Sequence, residues 1–308
     1  MFKTLAVLAM LGAIQSAHAA APSGFYRTSV GAFDVVALAD GVGSLPAAML
    51  IGGSAQASAE VTALLEDDVI AGPMMPMPVN AFLVKTADKL ILVDTGTGRN
   101  FGPPELGHVI ENLRAAGYAP SQVDLVLITH MHPDHLGGLV SASGEALFPR
   151  AIVRMAQADS DFWLSETNAA TAPKQAKPLF DVARKSAAPY LRTGHWRPFA
   201  EGETIVPALT SVPLPGHTPG HTGYRFTSNG QQLLMWGDVV HSVPVQMARP
   251  GVAFALDLDP VAAVSERKRL FAELAANQQL VAGAHLPFPG VGRVRSAGIT
   301  YRWAPAPY

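Results

Sequence analysis

The ten residues THMHPDHLGG (129–138) constrain the fold most strongly. They follow an apolar run, VDLVLI, and carry three histidines and one aspartate within six positions. A solvent-exposed loop gains nothing from clustered imidazoles, and a buried loop must provide a partner for every ring nitrogen. We therefore expect a bound cation to hold these side chains together at the end of a buried strand. The candidate ligands are His130, His132, Asp134 and His135.

Three later segments also place a side chain that can bind metal where an apolar run ends: His217 with His221, Asp238, and His285. Taken singly, a histidine at a strand end is usually structural, and an aspartate there usually belongs to a turn. Sheets hold strand ends rigidly, so residues distant in sequence can converge at one edge. Because the chain has no cysteine, the ligands must be imidazole and carboxylate, and Cys-ligated structural zinc is excluded.

The remaining pattern predicts an α/β (α+β) fold with two mixed sheets and helices outside them. FDVVALADG and NAFLVKTADKLILVDTG predict strands, the second being a hairpin that turns through residues 86–89. PPELGHVIENLRAAGY predicts a helix, and Asp259 followed by Pro260 predicts the start of a long one. We interpret residues 41–78 as a long loop over one face, with a short helical pattern between the irregular stretches GGSAQASAE and AGPMMPMP.

The first 19 residues have the pattern of a secretory signal peptide. Lys3 precedes an apolar run at 5–14 that is too short to cross a bilayer, and Ala17-His18-Ala19 fits an A-x-A cleavage site. Cleavage would leave a single domain, residues 20–308, in the periplasm or outside the cell. The net charge of −2 predicts no nucleic-acid partner and no membrane partner after cleavage. The sequence leaves the oligomeric state open, a homodimer included.

The order H-x-H-x-D-H, GHTPGH, a strand-ending Gly-Asp and a final strand-ending histidine resembles the metallo-β-lactamase fold, an αββα sandwich with a two-metal site. More narrowly, the chain resembles the methyl parathion hydrolase group, which contains lactone- and aryl-ester-cleaving relatives. The segments that carry this resemblance are YRTSVGAFDVVALADG, LVDTG, ITHMHPDHLGGL, DFWLSETN, GHTPGHT, VSERK and AHLPFPGVG. Together they cover nearly all of the chain after the signal peptide.

The resemblance implies a role for each of seven side chains. The ligands of the first metal would be His130, His132 and His217. The ligands of the second would be Asp134, His135 and His285, with Asp238 bridging both metals. Imidazole and carboxylate suit Zn²⁺ or a similar divalent ion. Two such ions about 3.5–4 Å apart can share a hydroxide that attacks a carbonyl or phosphoryl centre, which makes Asp134 and Asp238 the predicted catalytic residues.

Two further residues are predicted to support the ligands from outside. Asp94, in LVDTG, resembles an early aspartate of the fold that supports the ligand loop, and a turn carboxylate explains it equally well. His221 is expected to form a hydrogen bond near the ligands instead of binding metal, because a ligating histidine needs an oriented partner. The remaining histidines have no motif context and are assigned to the signal peptide, to the surface or to structural positions: His18, His108, His195 and His241.

The resemblance also implies an apolar wall on the leaving-group side of the pocket. Its predicted members are Phe101, Trp163, Leu179 and Phe180, and ordinary core packing explains Phe180 about as well. Such a wall favours neutral substrates, because a charged substrate would lose hydration without gaining a partner. No arginine cluster suits a phosphate monoester. We therefore predict an exported hydrolase of small neutral lactones and aryl esters, with phosphotriesters as substrates of uncertain rank.

Other activities of the same fold are separated by the ligand set. β-Lactamase branches generally lack the bridging aspartate, and some use a cysteine that this chain lacks. Thioesterases of the glyoxalase II kind share the seven ligands, but they carry basic residues for glutathione that we do not find here. A periplasmic metal-binding protein without turnover is the alternative outside enzymes, although it needs neither a bridging carboxylate nor open coordination positions.

Overall fold

The structure is a computed structural model that describes residues 24–51 and 55–307. The predicted signal peptide lies outside these residues. Within them, every helix is too short or too polar to cross a bilayer.

Two mixed sheets of six strands each form the centre of the structure. The first has the order β1-β2-β4-β5-β6-β7, in which β5 pairs in parallel with β6, and β6 with β7. Its strands are β1 (Phe25–Val30), β2 (Phe33–Pro46), β4 (Met74–Lys85), β5 (Leu90–Val93), β6 (Leu125–Leu127) and β7 (Ile152–Arg154). The predicted hairpin at residues 86–89 joins β4 to β5, and Thr86 N–H donates to the Lys89 carbonyl.

The second sheet has the order β14-β13-β12-β10-β9-β8, in which β10 and β12 are parallel. Its strands are β8 (Leu209–Pro213), β9 (Thr222–Ser228), β10 (Gln231–Met235), β12 (Leu280–Ala282), β13 (Val291–Ala297) and β14 (Thr300–Pro305). Two short strands, β3 (Leu50–Ile51) and β11 (Ala253–Phe254), pair separately.

The helices of the described residues are α1 (Ala55–Asp67), α2 (Val109–Ala115), α3 (Pro133–Leu136), α4 (Gln157–Leu164), α5 (Glu166–Thr171), α6 (Lys177–Thr193), α7 (Val243–Ala248) and α8 (Pro260–Asn277). Helices α2, α4, α6 and α8 cover the outer faces of the two sheets. The side chain of Asp259 caps α8 by accepting from the Ala262 N–H, as predicted. Helix α2 begins later than predicted, because Gly107 has a φ of +89° that a helix cannot include.

Alternation along the strands creates three apolar layers. Inward residues of both sheets pack together in the middle, including Val84, Leu127, Phe226 and Met235. Outward residues of the first sheet pack on α2, α4 and α6, while those of the second pack on α8. The layers follow the order helix, sheet, sheet, helix, which confirms the predicted αββα sandwich.

The prediction of a long loop at residues 41–78 was wrong. Strand β2 continues to Pro46, and β4 pairs with it from Met74, the first residue of β4. Gly41 therefore lies opposite Val79, and Pro46 lies opposite Met74. Pro76 and Pro78 suggested a loop, but β5 pairs with β4 only from Phe82 onward. Proline is tolerated where one edge of a strand is unpaired.

Candidate metal centre

The seven predicted ligands lie together at one edge of the sandwich. His130 follows the end of β6, Asp238 follows β10 and His285 follows β12. Because β10 and β12 are parallel, their carboxyl ends meet at the same edge. Strand β8 is antiparallel to β9, as β9 is to β10, so the loop that carries His217 begins at that edge too.

The first group consists of His130, His132, His217 and Asp238, all buried, with ligand atoms that lie within 4.8 Å of one another. Nδ1 of His132 is 3.1 Å from Nε2 of His130 and 3.0 Å from Nε2 of His217. Oδ2 of Asp238 is 3.5 Å from the His130 Nε2 atom and 3.3 Å from the His217 Nε2 atom. These atoms surround a space suited to a single cation.

The second group consists of Asp134, His135 and His285, whose ligand atoms also lie within 4.8 Å of one another. Nε2 of His285 is 3.5 Å from Oδ2 of Asp134 and 3.1 Å from Oδ2 of Asp238. Nε2 of His135 is 3.1 Å from the other Asp238 oxygen, Oδ1. The Asp238 carboxylate therefore contacts both groups.

Two buried polar atoms identify what this arrangement lacks among the described side chains. His135 Nε2 and Asp238 Oδ1 are shielded from solvent, and neither makes a hydrogen bond of acceptable geometry with a described residue. Leaving buried polar atoms without partners costs about 1–3 kcal/mol each. A divalent cation between the two atoms would satisfy both, so the donor set fits a metal.

The charges of the site agree with that fit. Burial, reinforced by neighbouring histidines, lowers the pKa of His130 and His132 well below the usual value, so both rings are neutral and able to bind metal. Burial also acts to lower the pKa of His217, but hydrogen bonds to Asp238 and Asp257 outweigh it and raise that pKa to about 9. Burial acts to raise the pKa of Asp238, but His135, His285 and His130 hold it well below its usual range. The site therefore favours positive charge, whether from protons or from metal ions.

Asp94 lies behind His135. Its Oδ2 atom is 2.9 Å from Nδ1 of His135, and its Oδ1 atom accepts from the Thr129 N–H at 2.8 Å. Asp94 has a φ of +59°, a left-handed conformation that few residues other than glycine adopt. The carboxylate thus orients His135 so that its Nε2 atom faces the centre.

His221 also occupies a supporting position. Its Nδ1 atom lies 2.9 Å from the Leu214 carbonyl, and its Nε2 atom accepts from the backbone N–H of Asp238 at 2.9 Å. Burial, reinforced by the nearby His217, lowers the pKa of His221 to about 3, so the ring is neutral. Both of its nitrogens are used, which leaves none for a metal.

Sequence reasoning missed two buried carboxylates that hold ligand loops. Asp257 Oδ1 is 2.8 Å from Nδ1 of His217. Asp159 accepts from the Met131 N–H at 2.7 Å and from the Gly220 N–H at 2.9 Å, so it ties the two histidine loops together. Asp159 lies within the quoted segment DSDFWLSE, but nothing in the spacing showed that its side chain points inward.

The assignment of His241 to a surface or structural position needs correction. Its Nε2 atom is 3.2 Å from Oδ2 of Asp238, and it forms a third possible metal group with Asp238 and His285. Its ring stacks on Phe254 at a centroid distance of 3.9 Å. The spacing D-x-x-H after β10 was the available signal. His108, by contrast, pairs with the exposed Glu111, and His195 is half-buried at the end of α6.

A cavity of ≈ 260 Å³ opens above the ligands. Phe101 and Leu179 line it, as the sequence predicted. The rest of its wall is mostly apolar and includes Met77, Val79, Leu106, Phe254 and Leu256. Its base is formed by His132, Asp134, His217, Asp238, His241 and His285. Lysine and arginine are absent from the described residues that line it.

Trp163 and Phe180 lie elsewhere than predicted. They are 1% and 3% exposed and belong to the core beneath the first sheet. The Trp163 ring packs on the Phe180 ring at a centroid distance of 4.7 Å and on the His132 ring at 5.2 Å. Both instead line a neighbouring cavity of ≈ 380 Å³, which shares His132 and Leu179 with the first. The helix spacing was read correctly, but it could not show on which side of the ligand loop the rings lie.

Comparison with known proteins agrees with the fold. Residues 74–285 match the profile described as "Metallo-beta-lactamase superfamily". The chain is 35% identical to a solved hydrolase named AbOPH of the beta lactamase superfamily, with a TM-score of 0.86 over 93% of this chain and 98% of that one. It is 26% identical to AidC, a dizinc quorum-quenching lactonase, with a TM-score of 0.83 over the same shares of the two chains. Among curated proteins, the uncharacterized protein YobT of Bacillus subtilis is 28% identical over 58% of this chain and 72% of its own length.

Proposed function

The chain belongs to the metallo-β-lactamase superfamily and has the metal-binding cluster of a hydrolase, and from this premise we propose that it is a dinuclear enzyme that hydrolyses neutral lactones. Aryl esters are proposed as further substrates, and phosphotriesters as substrates of lower rank. The observation that carries the proposal is the position of Asp238: its Oδ2 atom contacts histidines of both ligand groups, and its Oδ1 atom contacts His135 of the second group.

The charge of the site supports two metal ions instead of one. Asp134 and Asp238 belong to the ligand set, and Asp94 and Asp257 lie directly behind ligating histidines. These carboxylates carry four negative charges, while the metal-binding form of histidine is neutral. Two divalent cations would balance that charge, whereas with a single one the remaining positive charge would have to come from protonated histidines, which cannot then bind metal.

Bound divalent ions would supply Lewis acidity and activated water at this edge of the sandwich. The chain itself supplies orientation and exclusion of solvent. Asp94 and Asp257 fix the rings of His135 and His217, and the His221 ring fixes the backbone of Asp238. The apolar wall above them keeps bulk water away from the reacting carbonyl, which strengthens every electrostatic interaction inside.

The substrate class follows from the cavity. Its described wall is apolar and has no basic side chain, so a negative charge on the part of the substrate that lies along this wall, away from the metal ligands, would be desolvated without a partner. A lactone carries a neutral carbonyl and one apolar portion, which matches a cavity with metal ligands at the base and Phe101 and Leu179 on its wall. The similarity to AidC, a lactonase, supports the same class.

A substrate panel tests the proposal. Purified protein loaded with Zn²⁺ is assayed against acylated and aromatic lactones, aryl esters, phosphotriesters, phosphomonoesters and a glutathione thioester. We expect the highest kcat/KM for lactones, little action on phosphomonoesters, and two metal ions per chain by elemental analysis. Preferred cleavage of the thioester would favour the glyoxalase II alternative. Tight metal binding with no turnover of any substrate would favour a metal-binding protein.

We also propose export of the protein, because the first 19 residues have the signal-peptide pattern. The oligomeric state, including a homodimer, is a separate question for solution scattering.

A further inference from the structure

A buried arginine lies on the far side of the metal-binding cluster from the cavity. Arg267 belongs to α8, is 1% exposed, and lines a small internal space together with His217, His221 and Asp238. Burying a guanidinium costs several kcal/mol unless its donors are paired. The segment VSERK that contains it received no role from the sequence or from the proposed mechanism.

The hydrogen bonds of Arg267 all go to backbone carbonyls of one segment. Its Nε atom donates to the Val239 carbonyl at 2.6 Å, and its Nη1 atom donates to the carbonyls of Val252 and Pro250 at 2.7 and 3.1 Å. Val239 directly follows Asp238. One guanidinium therefore joins the start and the end of the segment 239–252.

The same segment is held from within by a buried amide. Gln246 donates to the Val252 carbonyl at 3.1 Å, which is also bonded by Arg267, and accepts from the His241 N–H at 2.7 Å. On the other side, the N–H of Asp238 is bonded by His221. The backbone of Asp238 is thus fixed before the residue by His221 and after it by Arg267.

We propose that Arg267 is a positioning residue that keeps the carboxylate of Asp238 oriented towards both ligand groups. An apolar side chain at this position would fill the space, but it would remove the donors of the Val239 and Pro250 carbonyls, leave the Val252 carbonyl with Gln246 alone, and free the segment to move. Because only His135 contacts Oδ1 of Asp238, while His285 and the histidines of the first group contact Oδ2, a small rotation of this carboxylate would affect the two groups unequally. The inference rests on the proposed dinuclear function.

The test compares Arg267→Met and Arg267→Lys with a matched control, Arg269→Met. Arg269 lies on the same helix, is half exposed, and pairs with Glu266 and Glu273 at the surface. For each protein we would measure the absorption spectrum after Co²⁺ substitution, the affinity for each of the two metal ions, and kcat and KM separately with a lactone.

We expect Arg267→Met to alter the Co²⁺ spectrum and to lower the affinity for one metal ion about tenfold, in line with the effects of outer partners on metal sites. It should also lower kcat, while KM stays within about twofold of the wild-type value. Arg267→Lys keeps the charge and one donor for Val239, so it should recover part of each loss. If Arg267→Met does not fold, Arg267→Lys alone decides, with a smaller change of the same kind expected.

An unchanged spectrum, unchanged metal affinities and unchanged kcat in a folded Arg267 variant would overturn the inference, even if its melting temperature fell. That result would show that Arg267 only stabilises the fold. Failure of the proposed function would look different, because the wild type itself would then bind fewer than two metal ions or hydrolyse no lactone.

Discussion

Replacing Asp94 by asparagine should weaken the binding of one metal ion much more than the binding of the other. Asp94 accepts from three donors: the Thr129 N–H, the Thr129 hydroxyl and Nδ1 of His135. Asparagine has the same shape and also tolerates the left-handed backbone found here, so the substitution introduces little strain. It has only one carbonyl oxygen, however, and its NH₂ group must face either Thr129 or His135, both of which donate.

The size of the effect follows from the lost contact. His135 would lose the acceptor that fixes its ring, and loss of such an outer partner lowers metal affinity about 10–100-fold. This corresponds to about 1.4–2.8 kcal/mol, at roughly 1.4 kcal/mol for each factor of ten. The loss should fall mainly on the group of Asp134, His135 and His285, because Asp94 contacts His135 directly and reaches His130 only through the Thr129 hydroxyl.

A second substitution provides the crossed comparison. Asp257 holds His217 of the first group and accepts from the Phe254 N–H. Asp257→Asn should therefore weaken the other metal ion by a similar factor. Asp34→Asn, an exposed carboxylate on β2, serves as the control for a loss of charge alone.

The assay is competition with a chelator, followed by elemental analysis at each step, so that the two dissociation constants are obtained separately. Equal weakening of both ions by Asp94→Asn would show that the two groups are not independently supported. Affinities within twofold of the wild type would refute the role given to Asp94 in orienting His135.

Three further outcomes are expected. In the metal-free protein, the free energy of unfolding should fall as pH rises from about 6.5 to 9, because folded His217 keeps its proton up to a pKa of about 9 while the unfolded chain releases it. It should also fall below pH 6.5, since the unfolded chain gains a proton that His221, with a pKa of about 3, does not. Urea midpoints should therefore be highest at pH 6.5 among 5.5, 6.5 and 9; a midpoint at pH 5.5 above that at 6.5 would contradict the His221 sign, and one at pH 9 above that at 6.5 would contradict the His217 sign. Trp163→Ala should lower the free energy of unfolding by about 3–5 kcal/mol, because it deletes a core side chain, and it should reduce kcat because the ring packs on His132. Phe101→Ala should instead raise KM for aryl substrates, because Phe101 lines the cavity. A Trp163 variant with native stability and an altered KM alone would show that the Trp163 ring lies in the cavity. Amino-terminal sequencing of protein from the native host should begin near Ala20, and an intact Met1 on cytoplasmic material would rule out export.

The ligand set was readable from the sequence because its signals are local. H-x-H-x-D-H places four donors within a run of six residues that follows a strand. No tertiary information is needed to see that these four side chains must be close together. Asp238 and His285 were identified in the same way, as polar residues that end apolar runs. The two mixed sheets were also predictable from the pattern of residues along each strand. A strand with one buried face alternates apolar and polar residues, and a strand buried on both faces is apolar throughout.

Only the tertiary structure decided what lies behind the ligands. His217 and Asp257 are 40 residues apart in sequence. Asp159 joins the loop that contains Met131 to the loop that contains Gly220, and several helices and strands separate these two loops in sequence. Such contacts depend on how two sheets dock, and side-chain spacing along one segment carries no information about that docking. For the same reason, Trp163 could be assigned to a helix but not to a side of it, and the buried Arg267 looked like any charged residue of an amphipathic helix.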